Sequence, residues 1–156
     1  MNTLSGKPIS RREFGLTAAA AGVGLTIPST GFFPAGSDTV RVAMVGCGDR
    51  GTFDAASCLK SSPGVELVAM ADLFQDQVES AMARLQKEVP DRVKVAPERI
   101  YLGFDAYEKV LQLDEVNLVL LLTPPGFRPE MVSACVKSGK HVFAEKPGAV
   151  DPTGVR

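Results

Sequence analysis

The chain is expected to fold as an α/β domain, a doubly wound parallel sheet with helices on both faces, and three observations carry that expectation. Strand-like apolar runs alternate with helix-period stretches from Thr39 onward, the pattern of a parallel sheet joined by right-handed crossovers. The runs are nearly continuous in apolar residues, as strands covered on both faces must be. The first run passes straight into a glycine-rich turn, VGCGDRG at 45–51, a backbone suited to joining a strand to a closely packed helix.

The first strand is read over 40–45, where Val40, Val42, Met44 and Val45 are apolar and mostly β-branched. Gly46, Gly48 and Gly51 follow with G-x-G-x-x-G spacing. A helix is expected over 52–60, with Phe53, Ala56 and Leu59 on one inward face. Ser61, Ser62, Pro63 and Gly64 end it. The second strand covers 65–71 and places Asp72 at its carboxyl end. An amphipathic helix is expected over 76–89, because Val78, Ala81, Met82, Leu85 and Val89 fall on one face. Pro90 stops it. The stretch 91–102 has no clear period, and Ile100, Tyr101 and Leu102 read as a short third strand. Asp105 opens the next helix, with Glu108 in the capping-box position and Val110 and Leu111 buried. NLVLLL at 117–122 is the fourth strand, broken by Thr123, Pro124, Pro125 and Gly126. A helix over 129–138 turns Met131, Val132, Cys135 and Val136 inward and ends at Gly139. The fifth strand, 141–144, leads into Glu145, Lys146 and Pro147.

Composition bounds the rest. With 156 residues, 45% of them apolar, the chain suits one domain with a real core. A net charge of −1 offers no general attraction to nucleic acid. Three cysteines, Cys47, Cys58 and Cys135, have neither metal-like spacing nor an even count. They read as small packing residues, the alternative being a reactive thiol at Cys47 beside a helix N-terminus. No metal site is expected.

Residues 1–37 are set apart from the fold. They begin polar and basic, pass through an apolar run at 15–27, and continue into PSTGFFPAGS. That run is too short to span a membrane comfortably. Ser10-Arg11-Arg12-Glu13-Phe14 resembles the twin-arginine export motif, although Gly15 stands where leucine is usual. The expectation is a twin-arginine signal over 1–37, export to the periplasm, and a domain over 38–156. A disordered cytoplasmic extension is the alternative.

In a doubly wound sheet, ligands sit beyond the carboxyl ends of the strands, where strand order reverses. The glycine turn, Asp72, Thr123 with Pro124, and Glu145 with Lys146 all fall at such ends. The first glycine permits the turn, the second lets a pyrophosphate approach bare backbone, and the third lets helix and strand pack closely. A helix N-terminus there favours anions. Asp72, about 20 residues beyond the loop, can accept hydrogen bonds from a ribose diol. Together these imply dinucleotide binding in a Rossmann-type domain. The competing readings are a plain structural turn or another nucleoside ligand, such as the S-adenosylmethionine of a methyltransferase. Glu145 could hold ribose hydroxyls, and Lys146, tuned by burial, could move a proton. A solvated charge pair at a strand end is the alternative for both. His141, at the opposite end of its strand, reads as structural.

VGCGDRG at 45–51, ADLF at 71–74, LLTPPGFRPE at 121–130 and GKHVFAEKP at 139–147 together resemble the N-terminal half of the glucose–fructose oxidoreductase, inositol dehydrogenase and rhizopine-catabolism (Gfo/Idh/MocA) family. The glycine loop is widely shared; Glu145-Lys146-Pro147 after GKHVF is far more specific. The resemblance implies that Gly46, Gly48 and Gly51 hold the NAD pyrophosphate, with Cys47, Asp49 and Arg50 in the same loop. It implies that Asp72 takes the adenosine ribose and favours NAD over NADP. Thr123 and Pro124 would lie toward the nicotinamide, Glu145 near its ribose, and Lys146 would be the catalytic lysine. The implied activity is hydride transfer between the cofactor and a hydroxyl of a sugar or cyclitol. Whether the full-length form is a homo-oligomer is left open.

Family members continue into an antiparallel α+β substrate domain, whereas this sequence stops at Arg156. The reading is therefore of an incomplete Rossmann domain with an exposed apolar face, poor solubility, and an alternative function as an NAD-binding module without catalysis.

Overall fold

The computed structural model describes residues 39–156. The signal expected over 1–37 lies outside the described residues. Five strands form one sheet: β1 (Val40–Val45), β2 (Val65–Asp72), β3 (Ile100–Leu102), β4 (Leu118–Leu121) and β5 (His141–Ala144). All neighbouring pairs are parallel, and the order is β3-β2-β1-β4-β5. The order reverses between β1 and β4, which makes the carboxyl ends of those strands the switch point.

Helices α1 (Asp49–Lys60), α2 (Gln75–Glu88), α3 (Ala106–Leu111) and α4 (Arg128–Lys137) are the crossovers. A short α5 (Pro152–Val155) follows β5. Single 3-10 turns at Pro90–Arg92 and Pro97–Arg99 occupy the ambiguous stretch before β3. The sheet separates two cores. Val42, Met44, Leu67 and Met70 face α1 and α2, packing on Leu59, Val78 and Leu85. Ala43, Val45, Ala69, Val119 and Leu121 face the other side, packing on Val110 and Cys135. Successive strand residues point to opposite faces, so two cores require the continuous apolar runs seen in the sequence.

Four local expectations are corrected. Helix α1 starts at Asp49 rather than at residue 52, so the glycine turn is already its cap. Its inward face is Thr52, Ala55, Ala56 and Leu59, and Phe53 is 60% exposed. Thr52 can be buried because its hydroxyl donates to the carbonyls of Cys47 and Gly48, which rotates the helix by about one residue from the apolar reading. Val136 likewise points outward, 65% exposed, while Cys135 is fully buried. The Asp105–Glu108 capping box does not form: Asp105 sits in helical geometry and makes no side-chain cap. Its carboxylate accepts from Lys109 instead, at 3.0 Å, which holds it below the usual carboxylate range.

Among the described residues β5 pairs only with β4, and Phe143, Val150 and Val155 are exposed.

Candidate functional site

The residues just beyond one row of the sheet build the site. Val45 lies beside Ala71 and Leu121, and Leu121 beside Ala144. Gly46, Asp72, Leu122 and Glu145 are therefore next in line across the sheet. Backbone hydrogen bonds carry the ladder over this row: Gly46 N–H donates to Ala71, Leu122 to Val45, and Glu145 to Leu121.

Each glycine of the turn has a separate reason. Gly46 has φ +97°, and a Cβ there would lie 2.8 Å from the backbone of Leu122 and Thr123. A Cβ on Gly51 would meet the carbonyl oxygen of Gly46 at 2.3 Å, so Gly51 is the close approach of α1 to the turn. Gly48 is different. The atom nearest to a Cβ there is Gln77 Oε1 at 3.9 Å, so nothing in the fold excludes a side chain. Gly48 caps α1 without a side chain, leaving the first-turn N–H groups of the helix directed at open cleft.

Asp72 holds this turn in place. Its Oδ2 accepts from the Cys47 N–H at 2.6 Å and its Oδ1 from the Phe74 N–H at 2.9 Å. Each carboxylate oxygen keeps a further lone pair for a ligand hydroxyl. The Cys47 side chain turns into the core, 2% exposed. Burial and the nearby Asp72 push its thiol strongly upward, so the packing reading of Cys47 stands and the reactive-thiol alternative does not.

These groups open on a cleft of about 970 Å³, at the upper end of the range for small-molecule sites. Gly46, Gly48, Arg50, Asp72, Thr123, Pro124, Glu145 and Lys146 all line it. Cys47, Asp49 and Gly51 do not: Cys47 and Gly51 are buried behind the turn, and Asp49 pairs outward with Arg84 at 2.5 Å. Thr123 donates its hydroxyl to the Met131 sulfur at 3.5 Å. Arg50 Nη2 meets Glu145 Oε1 at 2.7 Å, and its Nε meets Asp54 at 2.9 Å. Its guanidinium also lies over the Phe53 ring, 5.9 Å from the centroid. The second oxygen of Glu145 accepts from the Lys146 N–H at 2.7 Å. Hydrogen bonding to Arg50 is the main cause that holds the Glu145 carboxyl below the usual range. Lys146 is exposed at the cleft rather than buried as expected; among the described residues β5 pairs there only with β4.

Several lining residues were not foreseen. Arg128, 5% exposed, donates from Nη1 to the Pro147 carbonyl, bracing the segment that carries Lys146. Phe104 and Phe127 form a tilted pair with centroids 6.3 Å apart, and Phe74 joins them in the lining. Exposed aromatics at strand ends were the available signal. Arg128 gave none, since an arginine in a helix's first turn is ordinarily solvated. Among the described residues no group of histidine, cysteine, aspartate and glutamate is placed to hold a metal, and no helix is long and apolar enough to cross a membrane.

Comparison with known proteins accords with this geometry. Residues 40–156 match the family model GFO_IDH_MocA, described as an oxidoreductase family with an NAD-binding Rossmann fold. A glycosyl hydrolase family 109 protein of Saccharopolyspora erythraea is 32% identical, over 90% of this chain and 34% of its own length. Glycosyl hydrolase family 109 protein 3 of Phocaeicola vulgatus is 35% identical, over 83% of this chain and 21% of its own. The chain thus spans about a third or less of the length of these curated relatives. Among solved structures, myo-inositol 2-dehydrogenase from Lactobacillus plantarum superposes with a TM-score of 0.58 at 26% identity, covering 75% of this chain and 31% of that one. KijD10, a 3-ketoreductase from Actinomadura kijaniata in complex with NADP, gives 0.57 at 26% identity, covering 75% and 33%. From residue 40 onward, through its NAD(P)-binding Rossmann fold, the chain belongs to the Gfo/Idh/MocA oxidoreductase family.

Proposed function

We propose that the domain is the cofactor-binding part of an exported oxidoreductase that moves hydride between NAD and a hydroxyl of a sugar or cyclitol. The observation that carries this reading is the convergence of an open backbone cradle at Gly48, the Asp72 carboxylate and the Glu145–Lys146 pair on one cleft. The cradle fits a diphosphate: the space a Cβ would fill at Gly48 is empty, and no side chain caps the helix behind it. Gly46 shapes the turn, Gly51 brings the helix close, and Arg50 adds a cation. Asp72 would hold the adenosine ribose through its spare lone pairs and disfavour a 2′-phosphate, which supports NAD over NADP. Thr123 and Pro124 line the cleft toward Glu145, which would take the second ribose.

When bound, the nicotinamide supplies the hydride acceptor or donor. The chain's own part is to orient the cofactor and to move the hydroxyl proton at Lys146 Nζ. Sugar chemistry is supported by the relatives named as an inositol dehydrogenase and a ketoreductase. Export rests on the Ser10–Phe14 motif. Calorimetric titration with NAD, NADH and NADP tests the binding part, with NAD tighter than NADP as the expected result. Polyol-dependent NAD reduction by a full-length form tests the chemistry. Binding without reduction would favour a cofactor-holding module.

A second reading comes from the curated relatives named as glycosyl hydrolases. In it, NAD would take the C–H hydride of a ring carbinol while a base takes the O–H proton, both are later returned, and the net reaction is glycoside cleavage by water. NAD-dependent release of a chromogenic aglycone without net NADH would distinguish it.

A further inference from the structure

The Arg50–Glu145 contact joins the two ends of the cleft. Arg50 belongs to the first turn of α1, beside the glycine turn. Glu145 follows β5, which lies two strands away from β1 with β4 between them. The 2.7 Å bridge therefore passes beyond the carboxyl end of β4, where Leu122 and Thr123 line the cleft. A dinucleotide reaching from Gly48 to Glu145 must take the same route.

Each oxygen of Glu145 already accepts one bond and keeps only one further lone pair. One oxygen is held by Arg50 and the other by the Lys146 N–H. The two partners are unequal: the Arg50 side chain is 67% exposed and that of Glu145 12%. The carboxylate is the seated group; the guanidinium is the more exposed one, held on its other edge only by Asp54 at 2.9 Å, so its Nη2 edge can turn from Glu145 while the Asp54 contact stays. A guanidinium forks onto a phosphate as readily as onto a carboxylate, and an exposed ion pair is weakly held.

We propose that Arg50 is an exchange residue. It holds Glu145 across the cleft until a diphosphate draws it off, and this releases Glu145 for the ribose hydroxyls at the far end. This rests on the nucleotide reading of the cleft given above. The two halves of the cofactor are thereby coupled, since seating the diphosphate prepares the ribose site.

The coupling gives effects of opposite sign for two probes. ADP carries the diphosphate but no second ribose. For ADP, Glu145 is only a competitor for Arg50. For NAD it is both competitor and partner. Calorimetric titrations of the chain with each ligand test this. Glu145→Ala should bind ADP about two- to fivefold tighter than the wild type, the range an exposed pair allows, and bind NAD more weakly. Glu145→Gln should move both affinities the same way by less. Arg50→Ala should weaken both ligands. Glu88→Gln, an acidic residue paired with Lys60 away from the cleft, should change neither. Unchanged or weaker ADP binding by both Glu145 variants would overturn the exchange and leave a fixed bridge over the cofactor. Failure of the wild type to bind either ligand would overturn the nucleotide reading itself, and this inference with it.

Discussion

Replacing Gly48 by alanine separates what the glycine turn does for folding from what it does for a ligand. Gly48 sits at φ −66° and ψ 178°, a conformation any residue adopts. A Cβ there meets nothing closer than 3.9 Å, ordinary van der Waals contact. The stability terms are small and opposed. Alanine reduces the freedom of the unfolded chain, worth about 0.4–1 kcal/mol. It is also the poorer helix cap, by about 0.5–1 kcal/mol. The melting temperature should therefore move by less than about 5 °C, the shift that 1 kcal/mol makes in a domain of this size. Ligand binding should suffer far more, because the methyl group occupies the approach to the backbone. Losing one or two charge-assisted hydrogen bonds, at about 1.5–3 kcal/mol, loosens NAD by about ten- to a hundredfold. The two neighbouring glycines behave in the opposite way. Gly51→Ala drives a Cβ to 2.3 Å from a carbonyl oxygen, and Gly46→Ala adds a positive φ to a 2.8 Å backbone clash. Each should cost about 2–4 kcal/mol in stability. Thermal melts paired with calorimetric NAD titrations check all three. A Gly48→Ala protein with wild-type NAD affinity, or a Gly51→Ala protein with wild-type stability, would refute the reasoning.

Asp72→Asn should weaken NAD about tenfold and narrow the difference between NAD and NADP, as read by titration with both, since it removes the charge that opposes a 2′-phosphate. Lys146→Ala should leave NAD affinity within about threefold while abolishing polyol-dependent NAD reduction in a full-length form, because the lysine is assigned to the proton and not to the nucleotide. Thiol labelling at pH 8 should modify Cys58 first. Burial pushes the Cys135 thiol up to about 11 from 9.0, so its thiolate is about 100-fold scarcer than that of an unshifted thiol, and its labelling should accelerate as pH rises toward that value. Leu85→Ala removes a fully buried side chain between α2 and the sheet and should cost about 2–5 kcal/mol by urea unfolding. Val136→Ser, at an exposed position, should stay within about 0.5 kcal/mol.

What could be read from the sequence followed the strength of each local signal. The central strands were legible because burial on both faces leaves few polar residues inside them, Arg41 and Glu66 near their starts being the exceptions, and the two cores on either side of Val42 and Ala43 show why. The carboxyl-end location of the site followed from topology alone. Helix phase was less secure. In α1 the inward face includes Thr52, whose hydroxyl is satisfied by the turn itself; a buried polar residue of this kind is invisible to apolar periodicity. The Asp105 cap failed because Lys109, one turn on, competes for the carboxylate. Asp72 was read as a ligand group, yet its grip on the Cys47 and Phe74 amides depends on how the turn meets β2. Arg128 was missed because its guanidinium is held by the carbonyl of Pro147, 19 residues further along the chain, which only tertiary structure brings to it.

The register of the sheet explains why so few residues make a site. Val45, Ala71, Leu121 and Ala144 form one row across four strands, and the next residue on each strand is Gly46, Asp72, Leu122 or Glu145. A parallel sheet buried on both faces cannot slip by one residue without moving whole apolar sets to the wrong side. Packing that fixes the cores thus also fixes the turn and the Asp72 carboxylate relative to one another. The edge strand is the exception: β5 is paired on one side only among the described residues and is largely exposed. Its position depends more heavily on polar contacts, and two of them reach the site segment, Arg50 to Glu145 and Arg128 to Pro147. Loss of either arginine should therefore loosen the Glu145–Lys146 segment more than the glycine turn. Amide hydrogen exchange should rise at 144–148 in Arg128→Ala while 44–48 stays protected, and an equal rise at both places would show that the two ends of the cleft are held by the same contacts.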